Sequence, residues 1–151
     1  MNISTKFILL IFSFSVIFSS CSDDGPDPIV TGCTDSSSIN YDENAETDDG
    51  SCLYSVVGLW NANVYSLSGQ NLMTVIESFT LNLYADNNYI IQLTLIDGSS
   101  SNGAGTYEYN GSDSLVLETE NWEVTYLDGS NLHMTLTEED GQFHETEWIK
   151  N

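Results

Sequence analysis

Basic residues are almost missing from this chain. It has no arginine and two lysines, Lys6 and Lys150, against 23 acids, for a formal charge of −21. Such a surface repels nucleic acid and anionic headgroups, because both are gripped through Lys and Arg contacts to phosphate. Nucleic acid is therefore excluded as a partner, while cations and basic partners suit the charge. Histidine occurs twice, at His133 and His144. Ser, His and Asp are all present, but no Gly-x-Ser-x-Gly elbow is. Carboxylate pairs fall at Glu138-Glu139 and at Glu145/Glu147. Acid–base work needs one carboxylate in an apolar site, and nothing marks either pair that way. The glycine-rich run 98–105 lacks the lysine and following helix of a phosphate loop, and reads as a flexible hairpin loop. These absences predict a protein that is not an enzyme and requires no cofactor. What is present is a 40% hydrophobic fraction with 17 aromatics, enough to form a core. A length of 151 residues suits one ordinary domain plus extras.

The first residues read as an address. Lys6 is a positive n-region, and residues 7–18 are an apolar run. That run is long enough for a signal peptide and too short for a spanning helix of roughly 20 residues. Ser19-Ser20-Cys21 follows and resembles a lipobox, the site at which a lipoprotein is cleaved and its cysteine lipidated. The resemblance implies a signal peptide over 1–20 and an acylated Cys21 at the new N-terminus. Acyl chains contribute about 0.8 kcal/mol per buried CH₂, and several together hold a protein on a membrane. Residues 21–31 form an acidic tether that contains both prolines, Pro26 and Pro28. Acids just after a lipidated cysteine resemble the surface-export signal of Bacteroidetes-type lipoproteins. This implies an outer-membrane anchor, with the protein facing outward or, alternatively, towards the periplasm.

With Cys21 lipidated, Cys33 and Cys52 remain, and a pair in an exported chain reads as one disulfide. No thiol is then left as a nucleophile or soft metal ligand. The segment between them has Ile39 and Tyr41 as its sizeable apolar groups, too few for a core of its own. Gly32-Cys33-Thr34-Asp35, Asn40-Tyr41, Asn44-Ala45 and Asp48-Asp49-Gly50-Ser51-Cys52 together resemble a thrombospondin type 3-like, calcium-associated repeat of exported Bacteroidetes proteins. The resemblance sets a module over 32–53. Asp42, Asn44, Glu46 and Asp48 alternate as oxygen donors suited to Ca²⁺, although the closing bidentate Glu of an EF-hand is missing. Two readings stay open: a Ca²⁺ loop, or a solvated acidic loop held by the disulfide.

From Val56 onward the pattern has period two, broken by turn signals. It predicts strands over 58–67, 78–84, 89–96, 105–109, 114–118, 122–127, 131–138 and 142–149. Asp86-Asn87-Asn88, Asp97-Gly98, Asn110-Gly111, Glu120-Asn121, Asp128-Gly129 and Asp140-Gly141 lie between them. Asn-Gly and Asp-Gly supply the positive φ of tight hairpins. Alternation places Phe79, Leu81 and Leu83 on one buried face. Leu115 and Leu117, then Trp122, Val124 and Tyr126, then Leu132, Met134 and Leu136 share it. His133 falls opposite that face, and His144 shares a face with Thr146 and Trp148. Strand 89–96 carries apolar residues on both sides. Eight short strands must hide their edges, and an all-β, eight-stranded antiparallel up-and-down barrel does so, with a β-sandwich as the alternative.

Gly58-Leu59-Trp60 at the start of the first strand resembles the G-x-W signature of the lipocalins. In that family a basic side chain near the C-terminus, usually Arg, covers the signature Trp and closes the barrel. The resemblance gives that role to Lys150 over Trp60, a cation–π contact of about 0.5–2 kcal/mol. The 56–151 domain is closest to the compact lipocalin-like domains of bacterial lipoproteins. Two functions follow as expectations. One is a tethered barrel binding a small hydrophobic ligand. The other is a filled, non-enzymatic scaffold presenting loops to a partner. Oligomeric state is not legible. Interior volume separates the two, since a ligand pocket takes roughly 300 Å³ or more.

Overall fold

A computed structural model describes residues 27–151. The expected signal peptide, Cys21 and the start of the tether lie outside the described residues. All regular elements among the described residues are strands. They are β1 (Thr31–Gly32), β2 (Thr47–Asp48), β3 (Gly58–Leu67), β4 (Gln70–Asn71), β5 (Ile76–Leu83) and β6 (Asn88–Leu95). β7 (Ser100–Tyr109), β8 (Ser114–Leu117), β9 (Glu120–Leu127), β10 (Asn131–Thr137) and β11 (Phe143–Lys150) complete them.

Eight strands, β3 and β5 to β11, pair antiparallel in chain order, and β11 pairs back onto β3. That last ladder runs from His144–Leu67 to Lys150–Trp60 and leaves no edge in the ring. The expected up-and-down barrel is present, and the closing ladder excludes the sandwich. β4 is an extra two-residue strand on β3. The turns form as the side chains dictate. Asp86, Asp97 and Asp140 each accept the backbone N–H two residues on, and Gly98, Gly111 and Gly141 take φ near 85° (84°, 84° and 86°).

Three departures from strict alternation shape the interior. The β9–β10 ladder slips between His133 and Met134, so Met134 pairs with Val124 while His133 pairs with Tyr126. Thr125 is the extra residue, and the pleat flips after it. Tyr126 therefore faces out, 50% exposed, rather than inward as alternation predicts. It lies against His133, ring centroids 5.1 Å apart, and Leu127 takes the inward place. A second slip in the β3–β11 ladder sits at Asn63 and turns Tyr65 and Leu67 inward in place of Val64 and Ser66. The third departure is at β7, which starts at Ser100, five residues before the predicted start. The Gly-rich run is strand, because β6 needs a backbone partner and small residues let it approach. A Cβ on Gly103 would meet Ile91 Cγ2 at 3.1 Å, and one on Gly105 would meet Tyr89 Cε1 at 3.0 Å.

The lower half of the barrel is solid. Trp60, Leu81, Leu83, Leu115, Leu132 and Trp148 are buried there with Val56 as a plug. The indole N–H of Trp60 donates to the Val56 carbonyl at 2.8 Å. Lys150 Nζ lies 5.0 Å from the Trp60 ring. Gly58 makes room for that lysine: it has φ 151°, and a Cβ there would fall 2.5 Å from Lys150 Cε.

The Cys33–Cys52 disulfide is formed, and β1, just before Cys33, pairs in parallel with β2 inside the loop. The loop sits against the β9–β10 turn. Gly129 is needed there because a Cβ would collide with Ser37. The Tyr54 hydroxyl donates to Asp35 at 2.7 Å, which pushes the phenol up to about 12.

Asp128 caps that same turn. Its Oδ1 accepts the N–H groups of Ser130 and Asn131, each at 2.7 Å, and its Oδ2 accepts the Tyr126 hydroxyl at 2.8 Å. Burial opposes ionisation, but these donors outweigh it and hold the carboxyl at about 2, against an ordinary 3.8. A depressed folded pKa contributes stability that is present above the unfolded value and lost as pH falls through the folded one. Thermal melts of the wild type should therefore lose stability between about pH 4 and pH 2 more steeply than melts of Asp128→Ala. Parallel slopes would remove this role from Asp128.

Candidate functional site: the upper barrel cavity

Above the packed base the barrel is hollow. A cavity of about 210 Å³ is lined by Tyr65, Phe79, Leu81, Ile91, Leu117, Glu120, Trp122, Met134, Leu136, Glu138, His144, Thr146 and Trp148. The ladders explain why space remains at this end. β3 pairs with β5 only from Gly58 to Asn61, and β7 pairs with β8 only from Tyr107 to Tyr109. The β6–β7 ladder continues to Thr94–Ser100. The upper parts of β5, β6 and β7 thus rise as a flap above the shared girdle. The inner side of the flap carries a groove of about 270 Å³, which shares Phe79 and Ile91 with the cavity. Across from it, the β8–β9 and β10–β11 turns form a mouth of about 710 Å³ lined by Thr119, Glu120, Asn121, Leu136, Thr137, Glu138, Glu139 and Asp140.

Of the expected interior residues, Phe79, Leu81, Leu117, Trp122, Met134 and Leu136 line the cavity. Trp60, Leu83, Leu115, Val124 and Leu132 form the packed floor beneath it. Tyr126 belongs to neither. Tyr65, Glu120 and Glu138 belong to the site although alternation alone does not select them. Tyr65 needs the slip at Asn63, and the two glutamates need knowledge of which turns meet at the mouth. His144, Thr146 and Trp148 were legible as a shared face of the last strand.

The polar groups at the rim form a chain. His144 Nε2 lies 2.7 Å from Glu138 Oε1, and its Nδ1 lies 3.2 Å from the Tyr65 hydroxyl. When the neutral ring donates Nε2–H to Glu138, Nδ1 accepts the Tyr65 proton. Burial, then Glu138 and Glu120, push the Tyr65 phenol above its ordinary value. The rings are close: Tyr65 to Phe79 is 5.4 Å and Phe79 to Trp148 is 4.8 Å between centroids. The N–H groups of Trp122 and Trp148 are buried and find no hydrogen-bond partner among the described residues. A buried donor left unsatisfied costs about 1–3 kcal/mol.

The residues proposed for calcium are not gathered into a site. Asp42 Oδ1 accepts the N–H of Asn44, and Asp48 Oδ1 accepts that of Gly50, so the acids close their own turns. Among the described residues no group of three His, Cys, Asp or Glu side chains is placed to hold a metal ion. In this arrangement Asp42 and Asp48 serve turn formation. No helix among the described residues is long and apolar enough to cross a membrane. No protein-family model matches the sequence, and no curated protein matches it.

Proposed function

We propose that this chain is a lipid-anchored outer-membrane protein, facing outward, whose lipocalin-like barrel binds one small, largely apolar ligand. The observation that carries the binding reading is the upper cavity itself, walled by Tyr65, Phe79, Trp122 and Trp148. A concave, aromatic-lined space with a few polar groups at the rim is the common form of a small-molecule site. Its size limits the ligand. A cavity of about 150 Å³ holds benzene, and drug-sized ligands take about 300 Å³ or more. The roughly 210 Å³ here falls short of the roughly 300 Å³ of a full ligand pocket and suits a monocyclic compound. The anchor rests on Lys6, the apolar run and Ser19-Ser20-Cys21. A non-enzymatic role fits the chemistry of the rim. Tyr65 has a base beside it in His144, but burial and the two glutamates raise its phenol, the reverse of the lowered pKa that activates a nucleophile.

Toluene is a neutral probe of this reading. Titration into the purified protein should quench or shift tryptophan emission saturably, with a Kd of about 0.1–1 mM. Ile91→Trp places a large side chain where the cavity and groove meet, and should abolish the response while the fold melts cooperatively. Lack of any saturable response by the wild type would transfer the barrel to the scaffold reading, which the solid lower half also fits.

A further inference from the structure

We infer that the cavity selects small monocyclic organic cations, a ring bearing an ammonium group, over neutral and anionic compounds of the same size. This rests on the proposal that the cavity binds a small ligand. Four aromatic side chains, Tyr65, Phe79, Trp122 and Trp148, line it. Aromatic faces attract a cation through the ring quadrupole, most strongly where water is displaced. Glu120 and Glu138 line the same cavity and also the mouth that leads to it. Glu139 and Asp140 extend the negative surface outward along that path. Among the described residues no lysine or arginine lines the cavity or the mouth: Lys150 is held over Trp60 at the opposite end, and His144, engaged with Glu138, is the one basic side chain in the lining.

The two kinds of group act on different parts of one ligand. The ring occupies the apolar space between Phe79, Leu81 and Met134. The ammonium sits towards the rim, where it exchanges its water for carboxylate oxygens and ring faces. Glu138 is engaged by His144 at 2.7 Å. Glu120 is exposed at the lip and is the simpler carboxylate to test. Both carboxylates are felt inside, since they help raise the half-buried Tyr65 phenol. An anion would meet the same field with the opposite sign.

Calorimetric titration at neutral pH with benzylammonium, benzyl alcohol and benzoate separates the possibilities. Benzylammonium should bind about tenfold more tightly than benzyl alcohol, and benzoate should not bind measurably. Added salt should weaken the cation alone. Glu120→Gln, at an exposed position, should cost benzylammonium about three- to tenfold more than it costs benzyl alcohol. Equal affinity for the amine and the alcohol would overturn the cation preference and leave the cavity reading standing. Binding of none of the three would overturn both.

Discussion

Replacing Trp60 with alanine is expected to cost about 3–5 kcal/mol, the range for truncating a large buried aromatic. Total stability for a single domain is about 5–15 kcal/mol, so this change alone removes a large share. With about 4–8 °C lost per kcal/mol in a domain of this size, the melting temperature should fall by about 15 °C or more. The size of the effect follows from three contacts that end together. Trp60 is fully buried at the centre of the floor, so its removal opens a cavity that neighbours on several strands cannot close. The Val56 carbonyl loses its 2.8 Å donor. The Lys150 ammonium loses the ring it lies 5.0 Å from. Trp60→Phe separates these terms: it keeps an aromatic ring and loses the N–H, and should cost about 1–2 kcal/mol. Melts followed by circular dichroism would check both. A cost below about 1 kcal/mol for Trp60→Ala would show that the floor is not the stabilising centre described above.

The floor and the mouth divide the work. Below, strands from both ends of the chain meet in the β3–β11 ladder, and the side chains fill the space between them. Above, the ladders stop short on two sides and a cavity remains. A substitution in the floor is therefore read as stability, and a substitution at Glu120 or Ile91 as binding. That separation lets the ligand experiments be interpreted without a change of fold.

Much of the barrel was legible because its causes are local. Alternation of Leu115 and Leu117, or of Leu132, Met134 and Leu136, depends only on the pleat, and an Asp-Gly pair makes its turn wherever the strands then go. Residues whose orientation depends on a neighbouring strand were not legible. Tyr126 continues the pattern of Trp122 and Val124, yet the ladder with β10 absorbs Thr125 as an extra residue and turns Tyr126 out. The run Ser100–Gly105 has the composition of a loop but becomes strand because β6 needs a partner along its length. The cavity shows the same limit. Its aromatic walls were partly visible in the alternation. Its glutamates come from two separate turns, and only the closed ring brings those turns to one mouth.

Removing the disulfide is expected to free the 33–52 loop while leaving the barrel folded. The loop has little else to hold it. Cys33 is its buried apolar residue, whereas Ile39 and Tyr41 are largely exposed. Closure over a separation of 19 residues is worth about 3 kcal/mol in the chain-entropy model. The remaining ties are the β1–β2 pairing and hydrogen bonds, among them Ile39 to Leu53, Asn40 to Ser51 and Leu53, and Tyr54 to Asp35. Most of these are exposed to water, where a hydrogen bond adds little net stability, and with almost no apolar burial they do not offset the chain entropy of a loop this long. The barrel has its own core and its own plug at Val56, which follows Cys52 in sequence. Trypsin cannot report on the loop, since residues 33–52 hold no Lys or Arg. A glutamate-specific protease meets Glu43 and Glu46 there. In the Cys33→Ser/Cys52→Ser variant, cleavage at those two sites should speed up by about a hundredfold, the kinetic equivalent of roughly 3 kcal/mol when cutting follows local opening. Over the same period the barrel should keep its melting transition within a few degrees. Wild-type cleavage rates in the variant would mean that packing against the β9–β10 turn, not the cross-link, holds the loop.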